Sequence, residues 1–187
     1  METVTAPAMN PIRAGWRWLV NSPTHGPAAN LWLRVMAGGV FLSEGILKFA
    51  YPNLGVGRFA KLGFPLPLET ATFVAGLEIV GGLLLIAGLL TRATALLFVI
   101  EMIVAILSTK ISLYLGTSPL PLPPVPPKIG LAAVLHETRS DWAQLLTSAF
   151  LVAAGPGRWS LDALLGRRRV PRRETKPFPA FAPPAAA

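Results

Sequence analysis

Apolar residues in this chain come in long unbroken runs, not in the strict alternation of a half-buried strand, and this predicts helices throughout. The first run, Leu31 to Ala50, carries only Arg34, Glu44 and Lys48 as charged residues. At 1.5 Å per residue it matches a hydrocarbon core of about 30 Å, so a first membrane span is expected over residues 30–51. The longest run, Ala71 to Thr109, is charged only at Glu78, Arg92 and Glu101. As one helix it would reach about 58 Å, far beyond the hydrocarbon core, so it must fold back on itself. Gly88-Leu89-Leu90-Thr91-Arg92 is the natural break, which gives spans over 68–90 and 92–112. Six of the chain's nineteen prolines then fall between Thr117 and Pro127. A segment of that density cannot be a spanning helix and favours an extended loop, here 117–128. Apolar character resumes at Ile129. A fourth span is expected over 139–155, with a start as early as Gly130 compatible, and it stops at Gly155-Pro156-Gly157-Arg158.

The flanks read differently. No apolar region with a small-residue cleavage site precedes Leu31, so no cleaved signal peptide is expected. Pro11 to Val20 mixes two arginines with two tryptophans, the composition of a segment lying on a headgroup interface, although an unordered tail fits as well. Trp159 to Leu165 can form a short interfacial helix, and the Pro- and Ala-rich sequence after Val170 reads as disordered. The chain thus divides into an N-terminal segment (1–29), a four-span membrane domain (30–158) and a basic tail (159–187).

Composition agrees with the pattern. Of 187 residues, 52% are hydrophobic and 14% charged, with a mean hydropathy of +0.54. Soluble domains average about 45–50% and 25%, so a large soluble enzyme domain is excluded. The net charge of +8 raises the question of nucleic acid. Its location answers it, because Arg167, Arg168, Arg169, Arg172, Arg173 and Lys176 gather most of it just beyond the last apolar helix. There a basic run marks topology and binds anionic lipid, and no nucleic-acid partner is expected. Four spans put both termini on one side. Arg13, Arg17, Arg92, Arg158 and the tail share that side, against Arg58, Lys61, Lys110, Lys128 and Arg139 opposite, so the termini and the Arg92 turn are expected to be cytoplasmic. With no cysteine, disulfides, thiolate zinc, iron–sulfur clusters and CxxCH haem attachment are excluded.

The few charges inside the apolar runs are the informative ones, since each costs about 2.5–3.5 kcal/mol at a span's centre on insertion scales. Counted from the cytoplasmic ends, Glu44, Glu78 and Glu101 lie about 21, 18 and 14 Å deep, one layer on three helices. Glu44 and Lys48, four apart in the favourable order, are expected to neutralise one another. Glu78 and Glu101 have no partner nearby in sequence, so each must find a base, share a proton with another carboxyl or stay protonated. The layer can be a polar pocket or proton route. It can also be interhelical hydrogen bonding that fixes the helices, with Gly38, Gly39, Gly81 and Gly82 allowing close approach. Ser140, Gln144 and Ser148 form one polar stripe on the fourth span that could face the same interior.

His136-Glu137-Thr138-Arg139-Ser140-Asp141 gathers titratable groups ahead of the fourth span. It is not the HExxH of a zinc protease, because Ser140 stands four after His136, and a Glu-x-x-His di-iron motif is also missing. Ser140 or Asp141 is expected to cap the helix. His25 and His136 fall on opposite sides in this topology, which excludes bis-histidine haem, and no metal site is expected.

Leu33-Arg34, Gly45-Ile46-Leu47-Lys48-Phe49, Phe64-Pro65, the run from Glu78-Ile79-Val80-Gly81-Gly82 to Arg92, and Met102 to Ala105 together resemble the DoxX family of four-helix bacterial membrane proteins. Arg34, Gly45, Lys48, Glu78, Gly81 and Gly82 carry the resemblance, which covers about Leu31 to Ala154. It implies a multi-pass protein of the bacterial inner membrane. Some members are subunits of quinone-linked oxidoreductases, which makes a quinone the candidate cofactor and other membrane or membrane-associated subunits the candidate partners. The reading that follows is an accessory redox subunit, not active alone, in which Glu44, Lys48, Glu78 and Glu101 bind the quinone headgroup and exchange protons. Arg34, His136, Asp141 and Gln144 stand as secondary candidates, and Gly38, Gly39, Gly45, Gly81 and Gly82 as packing positions. A non-enzymatic scaffold of a membrane complex is the alternative. A small transporter is a third, against which the chain lacks the internal repeat of transporter folds.

Overall fold

A computed structural model describes residues 10–20 and 26–169. Every regular element among them is a helix: α1 (Pro11–Val20), α2 (Asn30–Ala50), α3 (Val56–Lys61), α4 (Pro67–Ala87), α5 (Thr91–Leu115), α6 (Gly130–Glu137), α7 (Arg139–Ala154) and α8 (Leu161–Arg169). His25, Arg172, Arg173 and Lys176 lie outside the described residues, and of Arg167, Arg168 and Arg169 only the helical backbone is described. Helices α2, α4, α5 and α7 occupy the four apolar stretches, and α1 is a formed helix where the sequence left tail and interfacial helix open.

Helices α4 and α5 are long and apolar enough to cross a membrane, with mean hydropathies of 1.9 and 2.1 over their best windows. Only 33% and 11% of those windows are buried, so these are not the core helices of a soluble protein. Their apolar residues, Phe73, Val80, Leu83, Ile100 and Leu107 among them, face outward. An outward apolar surface of this extent needs a nonaqueous surround. Both helices end in the same way. Gly88 and Gly116 take the left-handed conformation, and the backbone bonds Leu89 N–H to Leu84 O (2.9 Å) and Thr117 N–H to Ser112 O (2.9 Å) close Schellman-type caps.

Helix α2 packs along α4 and α5 along α7, and contacts of α2 with α7 and of α4 with α5 close a ring. Glycine sets the α2–α4 distance. A Cβ on Gly38 would stand 2.6 Å from the Gly82 carbonyl oxygen, one on Gly82 would stand 2.7 Å from that of Gly38, and one on Gly45 would meet the Ala75 carbonyl at 2.7 Å. On the α5 side, a Cβ on Gly81 would strike the Phe98 ring at 2.6 Å. Gly39 departs from the packing role expected of it: nothing lies within 4 Å of its Cβ position, because one residue of helical rotation, about 100°, turns it away from both neighbours. The core is Ala37, Phe41, Leu85, Ala95, Phe98 and Leu151, with Phe41 and Phe98 stacked across the ring at 3.6 Å between centroids.

One end of the ring is fastened by charged side chains that hold backbone groups. Arg34, 1% exposed, donates from Nη1 to Pro156 O (2.9 Å) and from Nη2 to Ile86 O (3.3 Å), thereby capping the α4 C-terminus. Arg92 Nη2 donates to Ala153 O at the α7 C-terminus (2.9 Å), Nη1 to Trp18 O (3.3 Å), and the guanidinium lies 4.1 Å above the Trp18 ring, which ties α1 to the ring of helices. Asp162 of α8 accepts from the backbone N–H groups of Leu90 (3.0 Å) and Thr91 (3.2 Å) and so caps α5. It thereby holds Leu90 at φ +52°, a strained conformation for a bulky side chain. Asn30 donates to Gly155 O (3.1 Å). We call this the arginine end, and the opposite one the proline-loop end.

Candidate functional site

Away from the arginine end, one turn beyond the stacked Phe41 and Phe98, the ring interior becomes charged. Lys48 Nζ lies 2.7 Å from Glu78 Oε1 and 3.7 Å from Glu44 Oε2. The self-contained Glu44–Lys48 pair expected from sequence is therefore the looser of the two contacts. The i, i+4 spacing brings Glu44 near, but Lys48 reaches across to α4, where a buried carboxylate needs it more. Exposure follows the same order: the Glu44 side chain is 52% exposed, Lys48 14% and Glu78 3%.

Behind Glu78, the Glu101 carboxyl of α5 stands within hydrogen-bonding reach of it. Glu78 Oε2 and Glu101 Oε2 are both buried with no donor among the described residues. A single proton held between the two carboxyls would satisfy both oxygens. Helices α5 and α7 run antiparallel. Arg92 meets Ala153 at one end, and Lys110 meets Asp141 (3.1 Å) and the Glu137 carbonyl (3.0 Å) at the other. That register sets Gln144 and Ser148 of α7 at the level of Glu101. Both are buried, and Gln144 Oε1 and Ser148 Oγ also lack partners among the described residues. Four unpartnered polar atoms on three neighbouring helices at one level is an unusual concentration, because buried polar atoms are ordinarily paired.

Of the secondary candidates, Gln144 joins this layer and the other three lie elsewhere. Arg34 belongs to the arginine end, where it caps helices. Asp141 pairs with Lys110 and does not cap α7, whose start at Thr138 has no side-chain cap. Ser140 is exposed, so the stripe continues inward only through Gln144 and Ser148. His136, half-exposed, meets Glu137 (3.5 Å) and Arg139 (3.0 Å) at the proline-loop end. No three His, Cys, Asp or Glu among the described residues gather in a way that could hold a metal ion. Phe41 and Phe98, which close the layer toward the arginine end, were not singled out from sequence. Each stands three residues before an acid of the layer, Glu44 or Glu101, and that shared spacing was the available signal.

A chain whose described elements are all helices, the longest turning apolar faces outward around a small set of buried acids, is an integral membrane protein. It belongs to the DoxX family, whose pattern matches residues 29–111. The chain is 42% identical over 153 residues to "Uncharacterized membrane protein Rv3486" of Mycobacterium tuberculosis (strain ATCC 25618 / H37Rv), covering 76% of this chain and 85% of that one. It is 30% identical over 132 residues to "Putative oxidoreductase CatD" of Bacillus subtilis (strain 168), covering 71% and 83%. No solved structure matches it.

Proposed function

We propose that α2, α4, α5 and the α6–α7 pair each cross the bacterial inner membrane, with both termini and the arginine end cytoplasmic. The ring of contacts among these helices supports four crossings, and the arginine bias of the turns and tail supports the orientation. Within that frame the protein is an accessory subunit of a quinone-linked redox system, and the name of the Bacillus relative favours a redox setting.

The observation that carries this reading is the Lys48–Glu78 ion pair backed by Glu101, with buried oxygens on both acids left unpartnered. A buried ion pair is weak evidence for stability, since well-packed apolar residues commonly do as well, so its presence calls for another reason. Turning a quinone into a quinol takes two electrons and two protons. Lys48 would hold a carbonyl oxygen of the quinone, and Glu78 and Glu101 would give or take the protons. Glu44, 3.7 Å from Lys48, would be the third acid to share that cation. The electrons come from a partner subunit, because a cysteine-free chain supplies no iron–sulfur cluster or thiol pair to carry them. Toward the arginine end the route stops at Phe41, Phe98 and the apolar core, which favours a one-sided site over a transport path.

A scaffold role is the second reading. Leu122, Val125 and Ile129 are exposed in and beside the proline segment and could seat a partner. Purification from the native membrane in mild detergent, followed by assay of quinone-linked electron transfer, separates the two. The redox reading expects a co-purifying electron-carrying subunit and loss of activity in Lys48→Met and Glu78→Gln. Unchanged activity in both variants, with loss of the complex on deletion of Pro119–Pro127, would establish the scaffold.

A further inference from the structure

The proline-loop end holds a cleft separate from the acid layer. Its volume is about 430 Å³, and its walls are α3, the last turns of α5, and the segment from Leu120 to Pro124. Arg58 and Lys61, three residues apart as the basic residues of the last turn of α3, line it together with Lys110 of α5. Lys110 is engaged by Asp141 and by the Glu137 carbonyl. Arg58 and Lys61 have no acidic partner among the described residues. Glu137 is the one acid in the lining, and its carboxylate sits 3.5 Å from His136. Arg58 and Lys61 against the single Glu137 carboxylate leave the cleft positive, and a concave positive site focuses that potential on whatever enters.

The rest of the lining narrows what that is. Leu54, Leu113, Leu120 and Leu122 share the cleft with the cations, so it is built for an amphiphile as well as a charge. Its proline wall has few N–H donors, and the hydrogen bonds an anion needs come from Arg58 and Lys61. A guanidinium and an ammonium side by side match the oxygens of a phosphate group.

We propose that this cleft binds a phosphate-class oxyanion, and that its source is the headgroup of an anionic phospholipid in the leaflet at the proline-loop end. The site is independent of the quinone reading and would stand if that reading failed. It also accounts for the proline segment, whose stiff extended backbone forms a wall that keeps the cleft open.

Native mass spectrometry of the full-length protein in detergent tests this. Phosphatidylglycerol and phosphatidylcholine of identical acyl chains are compared on the wild type, on Arg58→Gln/Lys61→Gln, and on the charge-conserving Arg58→Lys/Lys61→Arg, with size exclusion confirming that each is folded. The wild type should retain phosphatidylglycerol about fivefold over phosphatidylcholine, the Gln pair should lose the preference, and the conserving pair should keep it. Retention of added inorganic phosphate by the wild type, lost in the Gln pair, with no preference between the lipids, would keep the oxyanion site and assign it a free ligand. Equal retention of both lipids with no phosphate bound, or a preference that survives the Gln pair, would overturn the proposal.

Discussion

The arginine end and the acid layer both bury charge, and they do so in opposite ways. At the arginine end, Arg34, Arg92 and Asp162 are each matched to backbone groups: carbonyls that end α4 and α7, and N–H groups that begin α5. Among the described residues the Nε atoms of the two arginines and the Thr91 hydroxyl stay unpartnered there, and no carboxylate oxygen does. Helix ends always leave such groups over, and a side chain that takes them joins elements whose order along the chain is distant. In the layer, side chain meets side chain. Lys48, Glu44, Glu78 and Glu101 hold one another and leave acceptor oxygens open. Charge matched to backbone fastens a fold, whereas charge matched to charge with acceptors to spare is available to a ligand or a proton.

That contrast can be broken by mutation. The largest effect is expected from Arg34→Met, which strips two carbonyls of a charged donor and should cost about 3–5 kcal/mol, seen as loss of folded protein and a collapsed melting temperature in detergent. Glu78→Gln, equally buried, keeps an acceptor for Lys48 while Glu44 and Glu101 remain to offset its charge, and should cost less than Arg34→Met, about 1–2 kcal/mol in the same melt. Comparable losses in the two variants would erase the distinction. Next, Gly38→Leu should destabilise by about 1–3 kcal/mol through overpacking against Gly82 and Ile86, while Gly39→Leu, one residue along, should stay within about 0.5 kcal/mol. Asp162→Ala should remove the α5 cap at about 1 kcal/mol, with faster hydrogen exchange confined to the Leu90 turn. Smallest of all, Glu44→Gln should leave the melting temperature within the scatter, because its carboxylate is half-exposed and 3.7 Å from Lys48.

Much of the helical layout was legible because membrane helices announce themselves by length and apolar content. The turn at Gly88–Thr91 and the starts of α2, α4, α5 and α7 follow from counting along single helices to within a residue, whereas α4 ends at Ala87 where 90 was expected and α5 runs on to Leu115 past the expected 112. What depended on rotation about a helix axis or on partners far away in sequence was not legible. Gly38 and Gly39 differ only by which way they face. Lys48 prefers Glu78, thirty residues on, to Glu44, four residues back, because burial and not proximity in the chain decides the partner. Arg34, a secondary site candidate from sequence, is a helix cap because its partners are the distant Pro156 and Ile86 carbonyls, and nothing local to Asp162 marked it as the cap of α5.

The most direct test of the layer as a ligand site is quinone binding itself, measured by fluorescence quenching or calorimetry on purified protein in nanodiscs, with wild type, Lys48→Met and Glu78→Gln side by side. Saturable binding by the wild type, weakened at least about tenfold in both folded variants, is the expected result. No saturable binding by the wild type, or equal binding by all three, would mean that Glu44, Lys48, Glu78 and Glu101 hold helices together and nothing more.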